Sequence, residues 1–145
     1  MGDVDSLLLR AALLAGAVVV CALVAGVLRH RAGRVRAVTD GAVLSAADVD
    51  RPLGTAATLV QFSTRTCTPC RTVRRLLDEQ AATSPGVAHV EIDAEDRLDL
   101  ARRFHVLRTP TVLVLDAGGR VTARFSGVPT PDQVRDAVLT GARGR

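Results

Sequence analysis

The spacing of apolar residues changes several times along this 145-residue chain, and each change predicts a different element. Continuous or alternating apolar runs predict strands at residues 59–62, 87–93, 111–115 and 121–125. Apolar residues three or four positions apart predict helices at residues 70–82, 97–104 and 131–139, and Ser45 is placed as the N-cap of an earlier helix. The side chains expected to face the core from the three longer helices are Val73, Leu76, Leu77, Leu98, Leu100, Ala101, Val134, Ala137 and Val138.

Helices and strands alternate in this order, which predicts an α/β fold with a mixed sheet flanked by helices. Strands joined through helices are expected to pair in parallel. The Ala-Gly-Gly sequence at residues 117–119 predicts a hairpin turn that adds the last strand as an antiparallel edge. Residues 42–145 are therefore expected to form one domain.

The segment before this domain is apolar over residues 7–28 and carries one charge, Arg10. Its uninterrupted part, residues 11–28, would rise about 27 Å as a helix, enough to cross the hydrocarbon core of a bilayer. A cleaved signal peptide is the alternative, but the chain begins with Asp3 and Asp5 instead of a positive region. We expect a short tail at residues 1–6 and one transmembrane helix at residues 7–28.

The net charge of +4 comes mainly from a basic segment directly after the apolar one. From Ala37 onward there are 14 arginines against 13 acidic residues, so the domain itself is nearly neutral. The excess lies in Arg29, Arg31, Arg34 and Arg36, within an expected juxtamembrane linker at residues 29–41. Such clusters commonly flank membrane spans, so we expect no nucleic-acid partner. The positive-inside rule then predicts a single-pass cell-membrane protein whose domain lies in the cytoplasm.

A pair of cysteines, in Cys67-Thr68-Pro69-Cys70, lies at the junction between the first predicted strand and the helix that follows it. Two thiols at this spacing can form a disulfide and open it again, which is redox chemistry. Cys67 falls at the helix N-terminus, where free backbone N–H groups and the helix dipole favour the thiolate, and Arg65 and Arg71 add positive charge. Cys70 falls one turn further along, so we expect it to be more buried and to act as the resolving thiol.

A structural zinc site is the main alternative for such a pair, and the rest of the chain does not favour it. Structural zinc takes four ligands, and no second pair of cysteines has this spacing. The three histidines, His30, His89 and His105, are dispersed, and Cys21 lies in the apolar segment. We therefore expect no bound metal and assign the pair a redox role.

Three features together resemble the thioredoxin superfamily over about residues 42–145. These are the apolar strand before Cys67-Thr68-Pro69-Cys70, the segment Arg108-Thr109-Pro110-Thr111, and Gly127 after the last strand. The resemblance implies a thioredoxin-like fold in which Cys67 is the exposed nucleophile and Cys70 resolves the mixed disulfide.

The same resemblance implies a substrate-binding surface around the cysteines. Pro110 would be the family's cis-proline, and the backbone of Thr109 would pair with the substrate strand; a trans proline opening an edge strand is the alternative. Thr66, Thr68 and Pro69 would complete the surface that meets the substrate.

The chain also departs from the family's usual pattern near the cysteines. Thr66 and Thr68 stand where thioredoxins usually have Trp and Gly. Gln61 stands where the family has a buried aspartate, and His89 corresponds to the lysine beside that aspartate. Because an amide does not exchange a proton at neutral pH, the proton of Cys70 must pass to water, to His89 or to another group.

These observations favour a membrane-tethered thiol–disulfide oxidoreductase of protein substrates, most simply a reductase. It would need no bound cofactor, and a thiol reductant or a reductase would supply its electrons. Two alternatives remain open: a thioredoxin-like protein outside the cytoplasm, in disulfide formation or the maintenance of secreted thiols, and a non-catalytic binding module with the same fold.

Overall fold

The computed structural model describes Arg10, residues 13–26 and residues 42–143, which fall into two units that are described separately. In the first unit, residues 13–26 form a helix, α1, whose apolar side chains are exposed. Among the described residues, no helix combines the length and the apolar character needed to cross a membrane. The expected tail at 1–6, both ends of the expected span at 7–28 and the expected linker at 29–41 lie outside the described residues.

The second unit contains a sheet of four strands, each at a position that the apolar pattern predicts. The strands are β1 (Ala57–Ser63), β2 (Val87–Asp93), β3 (Thr111–Asp116) and β4 (Val121–Ser126), in the spatial order β2-β1-β3-β4. Every residue of the central strand β1 is buried, whereas burial alternates along the edge strand β4. The continuous apolar run at residues 59–62 therefore forms a central strand, and the run at residues 121–125 forms an edge strand.

The strand directions differ in part from the expected parallel pairing. β1 and β2 are parallel, but β3 is antiparallel to β1, and β4 is antiparallel to β3. Ile92 near the end of β2 and Thr111 at the start of β3 both lie beside Phe62, so the connecting segment stays at one end of the sheet. Its helix, α4 (Leu98–Arg103), rises only about 9 Å, which is less than half the length of β3 and does not return the chain to the opposite end.

Helices cover both faces of the sheet. They are α2 (Ala46–Val49), α3 (Thr68–Thr83), α4 and α5 (Pro131–Arg143). On one face, Val73 and Leu77 of α3 and Val134 of α5 pack against Leu59 of β1. On the other face, Phe62 of β1 lies in a second core. The predicted mixed sheet with helices on both faces is confirmed.

The prediction that Leu98 faces the core is wrong, since this side chain is 55% exposed. Leu100 and Ala101, predicted with it, are buried. At 3.6 residues per turn, Leu98 lies about 200° around the helix from Leu100, so α4 cannot bury both.

Ser45 caps α2 as predicted. Its Oγ accepts a hydrogen bond from the backbone N–H of Asp48 at 3.3 Å, and the carboxylate of Asp48 accepts one from the backbone N–H of Ser45 at 2.7 Å. These two bonds form a capping box. The hydrogen bonds from Ser45 lower the pKa of Asp48, because they stabilise its ionised form.

Candidate active site

The two cysteines occupy the junction between β1 and α3. Cys67 is the N-cap of α3, which begins at Thr68, two residues earlier than predicted, and the backbone N–H of Cys67 donates to the carbonyl oxygen of Thr64 at 3.2 Å. The Sγ atoms of Cys67 and Cys70 are bonded at 2.08 Å. Cys67 is partly exposed, whereas Cys70 is only 2% exposed. One sulfur of the pair is therefore accessible to another molecule and the other is covered.

The loop before β3 lies beside this junction. The peptide bond between Thr109 and Pro110 is cis, as the family resemblance implies. The hydroxyl oxygens of Thr109 and Thr64 are 3.4 Å apart, and the backbone N–H of Gly127 donates to the carbonyl oxygen of Pro110 at 2.8 Å. Gly127 has a φ of 107°, a conformation that residues with a side chain rarely adopt. The three sequence features of the resemblance thus form one site.

The expected substrate-binding residues differ in exposure. Thr66, Thr68 and Pro69 are exposed, Thr109 is half-buried and Pro110 is buried. The two residues next to Cys67 in sequence, Thr66 and Thr68, therefore present small side chains, and in residues 64–69 none is aromatic. Arg65 is exposed as well, so a partner molecule would meet hydroxyl, methyl, proline and guanidinium groups at this point.

Gln61 is fully buried beneath the disulfide. Its Nε2 donates a hydrogen bond to the carbonyl oxygen of Cys70 at 2.9 Å, and its Oε1 is enclosed without a hydrogen-bond partner among the described residues. The side chain that replaces the family's aspartate therefore holds the backbone of the resolving cysteine and does not titrate.

His89 lies on the same face of the sheet but at a distance along the strand. It is paired in register with Leu59, whereas Gln61 is paired with Glu91. The ring Nδ1 of His89 is 2.7 Å from the carboxylate of Asp78 on α3, and the ring is only 6% exposed. Its proton-transfer role stays a prediction, and the structure places the ring against α3 and not at the disulfide.

A depression of about 470 Å³ opens beside the disulfide. Its walls include both cysteines and five ionisable side chains, Arg65, Arg71, Arg74, Glu91 and Asp93. Strand alternation in β2 places Glu91 and Asp93 on the face that α3 covers. Arg74, Glu91 and Asp93 were not predicted from the sequence; the available signal for the two carboxylates was the alternation in β2.

Two arginines of this depression, Arg74 and Arg65, form ion pairs with nearby carboxylates. Arg74 forms a forked pair with Glu91, with distances of 2.6 Å from Nε and 2.7 Å from Nη2 to the two carboxylate oxygens. Arg65 lies 3.5 Å from Asp93 and 3.0 Å from Asp96. The hydrogen bonds and the charge of Glu91 raise the pKa of Arg74, and those of Asp96 raise the pKa of Arg65. Within the described part of the chain, no group of three or more His, Cys, Asp or Glu side chains is placed to hold a metal ion.

An accessible sulfur at a helix N-terminus, disulfide-bonded to a covered one and flanked by a cis-proline, defines a dithiol–disulfide protein with a thioredoxin-like α/β fold. The family model for thioredoxin matches residues 43–140, which is more than half of the chain. The chain therefore belongs to the thioredoxin family.

Individual relatives match shorter parts of the chain. It is 32% identical over 77 residues to mitochondrial thioredoxin of Mus musculus, an alignment that covers 52% of this chain and 46% of that protein. It is 30% identical over 73 residues to a thioredoxin of Staphylococcus aureus, covering 50% and 70% of the two chains. The chain thus spans about half the length of the mammalian relatives that it matches.

Solved structures show the same fold. A thioredoxin from Nicotiana alata superposes with a TM-score of 0.53 at 28% identity and covers 60% of this chain and 74% of its own. A mutant thioredoxin from Halobacterium salinarum superposes with a TM-score of 0.56 at 21% identity, over 61% and 77% of the two chains.

Proposed function

We propose that this protein is a thiol–disulfide oxidoreductase of protein substrates and that it acts as a reductase. The observation that carries the proposal is the asymmetric pair, a partly exposed Cys67 at the start of α3 and a covered Cys70, beside the cis bond at Pro110. An exchange reaction needs one sulfur that reaches the substrate and a second that intercepts the mixed disulfide. This pair meets both needs.

The reaction has two steps. The thiolate of Cys67 attacks one sulfur of a substrate disulfide, the substrate S–S bond breaks, and the other substrate sulfur leaves as a thiolate. The thiolate of Cys70 then attacks Sγ of Cys67, the mixed disulfide breaks, and the second substrate thiolate leaves. Two electrons pass from the dithiol to the substrate, and the product is the Cys67–Cys70 disulfide. A thiol reductant or a reductase restores the dithiol, and no bound cofactor takes part.

The residues around Cys67 are proposed to hold the substrate. Thr66, Thr68 and Pro69 supply the exposed contact surface, and the backbone of Thr109 next to cis Pro110 pairs with the extended substrate segment. The 3.4 Å contact between the hydroxyls of Thr109 and Thr64 supports this role, because it keeps the loop against the junction that carries Cys67.

Reduction of a protein disulfide by the full-length reduced protein tests the activity. Wild type should release two substrate thiols for each dithiol oxidised. Cys67→Ser should abolish release, and Cys70→Ser should accumulate a mixed disulfide that is visible as a mass increase. Cys21→Ser is the matched control and should react at the wild-type rate. Full biological function of Cys67→Ser in vivo would favour the binding module instead.

The membrane tether and its orientation belong to the same proposal. The apolar segment at residues 7–28 anchors the protein, and residues 42–145 face the cytoplasm. The arginine-rich flank at residues 29–36, opposite an acidic flank at Asp3 and Asp5, supports this orientation. A cytoplasmic location also supports the reductase direction, because dithiols there are kept reduced.

Thiol labelling in intact cells tests the orientation. In a Cys21→Ser, Cys70→Ser background, Cys67 is the sole thiol of the chain. After treatment with a permeant reductant, a membrane-impermeant maleimide should label Cys67 only once the cells are permeabilised. Labelling in intact cells would place the domain outside the cytoplasm and favour the oxidative-folding alternative.

A further inference from the structure

The covered cysteine must lose a proton before it can attack the mixed disulfide. Cys70 is 2% exposed, and the side chain beneath it, Gln61, has no proton-accepting group that works near neutral pH. The proton of Cys70 must therefore pass to another group within reach of the sulfur or directly to water.

The depression of about 470 Å³ offers a route by which a proton can leave Cys70, because both cysteines line it. A water molecule occupies about 30 Å³ of liquid volume, so the depression has room for several. The ionisable groups of its wall are three guanidinium groups and two carboxylates. Guanidinium groups stay charged and accept no proton, which leaves Glu91 and Asp93.

Strand register favours Glu91 over the other carboxylate. Glu91 is paired with Gln61, whose amide is hydrogen-bonded to the backbone of Cys70 at 2.9 Å. Asp93 is paired with Ser63 at the end of the strand, and its Oδ1 accepts a hydrogen bond from the backbone N–H of Glu95 at 2.9 Å. Glu91 is thus the carboxylate of the depression that lies level with Gln61, the residue hydrogen-bonded to Cys70.

His89 is poorly placed for this role. Its Nδ1 is bound to Asp78 at 2.7 Å, and it lies two residues before Glu91 on β2, about 6.6 Å further along the strand. His89 is not among the described residues that line the depression.

We propose that Glu91 accepts the proton of Cys70 through a water molecule in the depression, with Arg74 as the fixed counter-charge. The proposal rests on the thiol–disulfide exchange function given above. The Cys70 S–H bond breaks as its proton moves to water and a water proton moves to a carboxylate oxygen of Glu91. The Cys70 thiolate forms the bond to Sγ of Cys67. The departing substrate thiolate takes its proton from solvent, to which Glu91 later returns its own.

The position of Arg74 explains why this transfer leaves no charge unpaired. Arg74 lies one turn after Cys70 on α3, and residues four apart share a face of a helix. Its guanidinium is already forked onto Glu91 at 2.6 and 2.7 Å. When the proton moves, the negative charge shifts from Glu91 to Cys70, and Arg74 lines the depression together with both. Arg65, Arg71, His89 and Asp93 are further charged or titratable groups on this side of the sheet, and Asp78 of α3 is hydrogen-bonded to His89 and acts on Arg74.

Single-turnover kinetics of the full-length reduced protein separate the two steps. A peptide disulfide with a different fluorophore on each half reports attack by Cys67 as release of the first half and attack by Cys70 as release of the second. With an ionised carboxylate as base, the second rate should be nearly flat between pH 6 and 8. Without it, the rate should follow the thiolate fraction and rise about tenfold per pH unit.

We expect Glu91→Gln to slow the second release at least about tenfold at pH 7 and to restore the steep pH profile, while the first release stays within about twofold. Glu91→Asp should keep the flat profile, and added acetate should speed Glu91→Gln. Glu79→Gln, the same change on the exposed side of α3, is the matched control and should match wild type.

A flat profile and an unchanged second rate in Glu91→Gln would overturn the proposal. Loss of the flat profile in Asp93→Asn, with Glu91→Gln unaffected, would also overturn it. A wild-type protein that releases neither half contradicts the oxidoreductase function itself, so the two failures are distinguishable.

Discussion

Replacing the buried amide of Gln61 with a carboxyl of the same shape should make the stability of the protein depend on pH. In the wild-type protein, Nε2 of Gln61 donates to the carbonyl oxygen of Cys70 at 2.9 Å. In Gln61→Glu the protonated carboxyl can still donate to this oxygen. The ionised form cannot donate, is 0% exposed like the amide, and faces a carbonyl oxygen. Burial therefore raises the pKa of the introduced carboxyl above its ordinary value of about 4.3.

The sign of the effect follows from which state loses its proton first. Above about pH 4.3 the unfolded chain is ionised while the folded chain keeps the proton. The unfolded state then binds fewer protons, so the free energy of unfolding falls by about 1.4 kcal/mol per pH unit. Full burial raises the pKa of a carboxyl by about three units, so this fall continues over about three pH units. The free energy of unfolding at pH 8 is then lower by about 4 kcal/mol. That is a large fraction of the 5–15 kcal/mol that typically stabilises a domain.

Urea denaturation of the oxidised full-length protein at pH 4, 5, 6, 7 and 8 measures this loss. Gln61→Met is the matched control: it removes the same hydrogen bond without adding a titrating group, so its loss of about 1–3 kcal/mol should not vary with pH. Equal losses at pH 5 and pH 8 in Gln61→Glu would refute the buried position assigned to this side chain.

Three further predictions concern proton transfer, charge and helix capping. Gln61→Asp should speed disulfide exchange near neutral pH in single-turnover kinetics, because it adds a base beneath Cys70, and an unchanged or slower pH–rate profile would contradict this. The hydrogen bond from Arg97 lowers the pKa of Asp99 to about 2, so Asp99 should favour the folded state above its ordinary pKa of 3.8 and lose this contribution as the pH falls towards 2; an NMR titration should give a midpoint near 2 that rises in Arg97→Gln. Ser45→Ala should lower the free energy of unfolding by about 0.5–2 kcal/mol in urea denaturation, since it removes the side-chain cap of α2, and no loss would show that the capping box contributes little.

The parts of the fold that the sequence predicted are those that depend on local spacing. Alternating and continuous apolar runs placed all the strands of the sheet, and the spacing of Val73 and Leu77 identified the buried side of α3. The strand-to-helix junction at Cys67 followed from the same patterns. The transmembrane helix at residues 7–28 and the cytoplasmic location stay predictions.

The parts that failed or were missed depend on distant contacts. The direction of β3 depends on how far a short helix carries the chain, and the exposure of Leu98 depends on which side of α4 meets the core. The forked pair between Arg74 and Glu91 joins residues that are 17 positions apart. No local pattern distinguishes Glu91 from His89 as the neighbour of Gln61, because both face the same side of β2.

By itself, the sequence determined that two cysteines meet a helix N-terminus beside a buried strand, because periodicity and helix-end preferences act over a few residues. Only the tertiary structure decided which groups surround the covered sulfur. Strand order and register set Gln61 beneath Cys70, bring Glu91 and Arg74 into the same depression and hold His89 against Asp78. Those placements follow from packing the whole sheet against α3, where a shift of two residues along β2 would put His89 in the place of Glu91 beside Gln61.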